Sequence, residues 1–169
     1  MQHGFDTPTK KIELYSTILE KFGYDPLPTF EEPGESPFSR PDLASEYPLI
    51  CSAAIKPVLY THNQYRTVPW LKKIMPDPWL EIHPRKAVEL GIKDGEIVVV
   101  ESPRGRIKVK AALTNDIDPD TVFMPHGWGE PYAHGPADND LTPDSPRCPV
   151  SASTGNRAFL CSVKKDKGE

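Results

Sequence analysis

Residues 84–113, PRKAVELGIKDGEIVVVESPRGRIKVKAAL, dictate their own local structure almost residue by residue and so narrow what the rest of the chain can form. Pro84 suits a first helical position, where no backbone N–H is needed. Ala87, Val88 and Leu90 give that helix an apolar side too short to stand alone, so it must pack on another element. Gly91 suits the left-handed position past the helix end, with Ile92 set to touch Ala87. Asp94-Gly95 then turns the chain into residues 96–101, whose four consecutive apolar residues predict a strand covered on both faces. Ser102-Pro103-Arg104-Gly105 is a turn, and the return strand alternates: Ile107, Val109, Ala111 and Leu113 to one side, Arg106, Lys108 and Lys110 to the other.

The 169 residues leave room for one domain with a real core. Charge is −4 with both signs interspersed, and no basic stripe of the kind nucleic acid demands is present. No apolar run approaches the roughly 18–20 residues of a membrane-spanning helix, so direct membrane insertion is not expected. Cys51, Cys148 and Cys161 show no ligand spacing, which argues against a disulfide framework or an iron–sulfur site made by this chain. The 20 prolines sit at the ends of apolar runs, as in a loop-rich domain of short strands.

Along the chain, residues 11–15 alternate like a strand, and Ser16 is placed to cap a helix over 17–22 that Gly23 stops. Residues 25–46 carry five prolines and little periodicity and read as a linker or an arm lying across another surface. The domain assignment is an arm over 1–46, a barrel over 47–164 and a solvated tail over 165–169. Strands are expected at 47–51, 79–82, 96–101, 106–113, 121–124 and 157–163. Six or seven short strands with one or two short helices predict a mainly β chain, best fitted by a mixed barrel closed by crossing strands. No glycine-rich phosphate loop of the P-loop or dinucleotide type occurs.

Two polar clusters stand out. Thr61-His62-Asn63-Gln64-Tyr65-Arg66 gathers amide, imidazole, phenol and guanidinium groups after a strand. Asn and Gln present donor and acceptor in one plane, suited to the edge of a heterocycle, and Arg66 with Lys56 suits a phosphate. The bland alternative is a surface loop using Asn and His for turns. His126-Gly127-Trp128-Gly129 offers glycines where backbone N–H groups can approach an anion, beside an indole; alternatively Trp128 plugs a tight corner. Asn139–Thr142 and Ser151–Asn156 are rich in short donors and acceptors and read separately as turn chemistry. His62, His83, His126 and His134 have no metal-site spacing, and no GxSxG elbow marks a nucleophile.

In order, TPTKKIELYS from Thr7, GYDPLP from Gly23, HNQYR from His62, the 81–111 unit and PHGWG from Pro125 resemble the C-terminal part of molybdopterin oxidoreductases of the dimethyl sulfoxide reductase family. The resemblance covers nearly the whole chain. It implies a double-psi β-barrel that cradles bis(molybdopterin guanine dinucleotide), with molybdenum or tungsten bound through it and no iron–sulfur cluster in this chain. The cofactor-binding candidates it implies are Ser52, Lys56, His62, Asn63, Gln64 and Tyr65 in the first loop. In the second they are His126, Gly127 and Trp128, and in the last Asn139 and Asn156. Where relatives often carry glycine-arginine after the first strand, this chain has Ala53-Ala54-Ile55-Lys56. The metal-ligating residue and the cluster cysteines of the family lie in parts this chain does not contain. No catalytic residue is therefore assigned, and the isolated chain, a fragment or a separate subunit, is expected to turn over no substrate. The implied partners are the remaining domains of a parent oxidoreductase and an iron–sulfur electron-transfer subunit; cytoplasmic or periplasmic placement follows the parent.

Two other readings share the residues. A double-psi barrel can serve as a protein- or substrate-recognition module, and a small stand-alone barrel enzyme would need a self-processing or catalytic serine, which nothing here marks. The cofactor reading alone requires that the loops carrying Gln64 and Trp128 meet on one rim.

Overall fold

A computed structural model describes residues 4–27, 29–55, 57–130, 134–155 and 157–168, apart from the side chains of Ala54 and Ile55. The chain forms two compact units, divided between Glu32 and Pro33. In the first, Ser16 caps α1 (Thr17–Lys21) by accepting from the Leu19 N–H at 3.2 Å, and Gly23 follows with φ 77°. Helix α1 buries none of its residues. The strand expected at 11–15 does not form: among the described residues no segment pairs with it, and Ile12 and Leu14 stay exposed, Leu14 at 83%. Alternation sets a face for a strand, but a ladder needs a partner.

The second unit is a closed six-stranded sheet in the order β1-β5-β2-β4-β3-β6. Its strands are β1 (Leu49–Ile55), β2 (Trp79–Ile82), β3 (Ile97–Ser102), β4 (Gly105–Leu113), β5 (Thr121–Pro125) and β6 (Phe159–Lys165). β1 runs parallel to β5 and β2 parallel to β4, while the other four neighbours are antiparallel. Parallel partners far apart in sequence, joined by crossing connections, make this a double-psi β-barrel. The helix and hairpin of 84–113 form as the sequence dictates. Helix α4 spans Pro84–Leu90, Gly91 takes φ 68°, and the Ile92 N–H reaches back to the Ala87 carbonyl at 2.8 Å. Two short helices, α2 (Pro41–Ala44) and α3 (Pro69–Ile74), each opened by proline, were not expected.

Every second strand residue points inward. Cys51, Leu80, Ile82, Val98, Val100, Val122, Met124 and Phe159 are fully buried and fill the interior. β3 is covered on one face rather than two, since Ile97 and Val99 keep solvent contact. β1 and β6 run further than read from sequence, and β6 takes in Lys164 and Lys165. Cys51 and Cys161 are free thiols buried in the barrel, and the neighbouring Cys161 thiol together with burial pushes the Cys51 thiol well up. Among the described residues no helix is long and apolar enough to cross a membrane.

Candidate functional site

The site begins where β1 loses register with β5. Ser52 pairs with Phe123 but Ile55 pairs with Pro125, so β1 carries one extra residue between them. A bulge of this kind bends a strand end and re-aims the chain that follows. The loop it launches closes as a tight turn, the Gln64 N–H donating to the Thr61 carbonyl at 2.9 Å. His62 and Tyr65 both sit in the left-handed region, with φ 56° and 68°. Two non-glycine residues there within four positions mark a loop held by its surroundings.

What holds it is the end of β5. A Cβ on Gly127 would lie 2.5 Å from both the carbonyl carbon and oxygen of His62, so the two backbones meet at a distance only glycine permits. Arg66 locks the junction. Its Nη2 donates to the His126 carbonyl at 3.0 Å and its Nε to the His62 carbonyl at 3.3 Å. The guanidinium lies 3.1 Å from the centre of the Trp128 ring and 3.9 Å from that of Tyr60. Arg66 is 4% exposed, and burial lowers its pKa to about 10, so it is a buried cation at neutral pH. The sequence suggested that Arg66 meets a phosphate. Instead its side chain turns inward because two carbonyls and two aromatic faces, from segments distant in sequence, surround it.

With the loops clamped, the rings of His62 and His126 stand edge to face at 5.1 Å. The His126 Nδ1 is 2.8 Å from the carboxylate of Asp138, which is 2% exposed and also accepts from the Gly127 N–H at 3.4 Å. A carboxylate in that position fixes the ring's orientation.

Both histidines line a cleft of about 660 Å³, within the range of small-molecule and cofactor sites. One wall is Pro33, Gly34, Glu35 and Arg40; another is Pro143, Ser145 and Pro146; the third is Ser153, Thr154, Gly155, Arg157 and Ala158, and the buried Ala53 of β1 completes the lining. Arg157 makes no hydrogen bond or ion pair among the described residues, whereas Arg40 is paired with Asp42, whose carboxyl it holds down at about 2.

Of the candidates, His62 and His126 line the cleft directly. Gly127 brings their loops together. Asn63, Gln64 and Tyr65 are exposed on the same loop without lining the cleft. Ser52 is half-buried on the face of β1 opposite Cys51 and Ala53. Trp128 is 6% exposed, its indole N–H bound to the Pro76 carbonyl at 3.3 Å in a cluster with Tyr60 and Leu71, so it takes the core-plugging role that the sequence left open. Asn139 is exposed in a 3-10 turn beside Asp138. Lys56 and Asn156 lie outside the described residues. Sequence reasoning did not assign the 33–40 wall, Asp138 or Arg157. The one available signal was the density of short polar residues at 151–156, whose residue types alone read as turns and from which the family resemblance drew only Asn156.

The sequence pattern of the family described as "Molydopterin dinucleotide binding domain" matches residues 54–159. Acetylene hydratase of Syntrophotalea acetylenica is 39% identical over 134 residues, covering 79% of this chain and 18% of that protein. Dopamine dehydroxylase of Eggerthella lenta is 32% identical over 173 residues, covering 96% of this chain and 17% of that protein. The solved structure of acetylene hydratase from Pelobacter acetylenicus superposes with a TM-score of 0.81 at 32% identity, over 97% of this chain and 24% of that one. The chain thus spans less than a quarter of each of these larger proteins.

Proposed function

The chain belongs to the molybdopterin dinucleotide-binding domain family of molybdenum and tungsten oxidoreductases, and from that premise we propose that its cleft receives molybdopterin guanine dinucleotide between the paired His62 and His126 loops and the wall of 153–155 and 157–158. The observation that carries this reading is the convergence of two distant loops at Gly127, which sets two imidazoles side by side on a nucleotide-sized cleft. The donor set suits the ligand. Imidazoles and hydroxyls match a heterocycle and ribose, and Arg157, without a partner among the described residues, matches a phosphate.

When bound, the cofactor supplies the reactive metal and its dithiolenes. The chain's own residues bind and orient. His126, held by Asp138, presents a fixed ring edge. His62 projects from a loop that Arg66 holds still. Asn63, Gln64 and Tyr65 stand at the rim for the parts of the ligand that leave the cleft, and Ser52, Asn139, Lys56 and Asn156 are further contacts on this reading. Relatives named for a hydration and for a dehydroxylation share the domain, which supports a division in which it carries the cofactor while other domains choose the reaction.

The barrel domain over 47–164 works on this reading inside a larger enzyme, with the 1–46 arm contacting its remaining domains. Support comes from the first unit, where Phe5, Ile12, Leu14, Ile18, Phe22 and Phe30 are all exposed. An apolar surface of that density marks a contact site. An iron–sulfur electron-transfer subunit is the further partner class, supported by the family resemblance alone.

Calorimetric titration of the chain with guanosine diphosphate tests the site. Binding that weakens about tenfold in both His62→Ala and Arg157→Ala supports it, the size expected for one charge-assisted hydrogen bond. Unchanged affinity in both variants refutes the assignment. The isolated chain is expected to show no molybdenum- or tungsten-dependent electron transfer, and detecting any would contradict the division of labour.

A further inference from the structure

The hairpin turn Ser102-Pro103-Arg104-Gly105 does more than reverse the chain. Arg104 does not line the cleft, yet its side chain reaches segments that form two of the cleft's walls. Nε donates to the Leu141 carbonyl at 2.8 Å, two residues before the lining Pro143. Nη1 and Nη2 donate as a fork to the carboxylate of Glu35, the second at 3.0 Å. Glu35 also accepts from the Leu160 N–H at 3.3 Å, two residues after the lining Ala158. Ser102 Oγ donates to the same Leu141 carbonyl at 2.9 Å.

The turn is seated hard against this region. A Cβ on Gly105 would lie 2.7 Å from the Asp140 carbonyl oxygen, in the short segment whose Asp138 holds His126. The Glu35 and Arg104 side chains are only 15% and 26% exposed, so the fork is shielded rather than a solvent-screened surface pair. Glu35 also lies before residue 54, outside the matched domain pattern.

We infer that Glu35 and Arg104 are positioning residues for the cleft: the pair joins the 33–40 wall to the 141–146 wall and to the start of β6, and so sets the opening a nucleotide must fit. The inference rests on the cofactor reading above and extends the site beyond the matched domain. Arg104 stands off the cleft, and Glu35, though on its lining, works through its bonds to Arg104 and Leu160. What they fix is the spacing between the segments that hold the ligand.

The test uses the full chain, its Glu35→Ala and Arg104→Ala variants and the double variant, with Glu35→Gln as a milder change should Glu35→Ala fail to fold. Affinity for guanosine diphosphate is read by calorimetry, and amide hydrogen exchange is read segment by segment. Each single variant is expected to bind about tenfold more weakly, with the double variant no worse than either, because partners in one contact act as a unit. Exchange is expected to rise at 33–40 and 157–160 while β3 and β4 keep their protection, and Glu35→Gln shows the same pattern to a smaller degree. Wild-type affinity in the variants, strictly additive losses, or exchange rising equally through β3 and β4 would each overturn the inference. If the wild-type chain does not bind the nucleotide, the cofactor reading fails instead. The exchange pattern then still decides whether the pair joins the walls: a selective rise upholds the joint, and no rise refutes it.

Discussion

At Gly127 a single methyl group decides whether the site exists. Alanine there would need φ 98° and would collide with the His62 carbonyl at 2.5 Å. Gly127→Ala is therefore expected to cost about 2–3 kcal/mol, seen as a lowered denaturant midpoint, with nucleotide affinity falling alongside. Arg66→Ala removes two carbonyl hydrogen bonds and two aromatic contacts, and about 2–4 kcal/mol of stability should go with them. Lysine should not rescue it, having no planar fork to reach both carbonyls between the rings. The cluster at 61–66 was legible in the sequence as a concentration of polar types, and its meeting with PHGWG was expected from the family resemblance. The direction of Arg66 was not legible. Residue type specifies which groups are offered, while burial depends on what distant segments bring to them.

Elements whose logic is local could be read closely. Helix α4 and the β3–β4 hairpin follow from periodicity, a proline start and glycine stops, and they lie where residues 84–113 put them. The closure of the sheet could not be read this way, because β1–β5 and β2–β4 are parallel pairs between strands far apart in sequence. The β3–β6 side carries its own prediction. Glu96 pairs with Lys165 at 2.8 Å and Asp166 with Lys108 at 2.9 Å, and each lysine holds its carboxyl below the ordinary value. Since the folded-state pKa is the lowered one, the stabilisation is present above the ordinary carboxylate pKa of about 4. It is lost as pH falls through the lowered values. Amide protection along β3 and β6 should decline over that range, and high salt should flatten part of the decline, since both lysines are exposed to solvent while the carboxylates are half-buried. A protection that rises on acidification would contradict the assignment.

The whole molecule divides where its burial divides. Residues from Pro33 onward enclose a continuous core, whereas the unit ending at Glu32 has a capped helix with no buried residue. A chain starting at Pro33 should therefore keep the thermal midpoint of the full chain, and a drop of more than about 5 °C, which in a domain of this size corresponds to roughly 1–2 kcal/mol, would show that the first unit stabilises the barrel. On the proposed reading, two distant loops and the wall of 153–155 and 157–158 form one receptor for a phosphorylated heterocycle. The most direct measurement is an NMR titration of the chain with molybdopterin guanine dinucleotide, following backbone amides. Shifts are expected at 61–66, 126–129 and around the cleft walls at 33–40, 143–146 and 153–158, with smaller ones near Ser52 and Asn139. Shifts centred instead on the Asp94-Gly95 turn and α4, with the His62 and His126 loops unmoved, would contradict it.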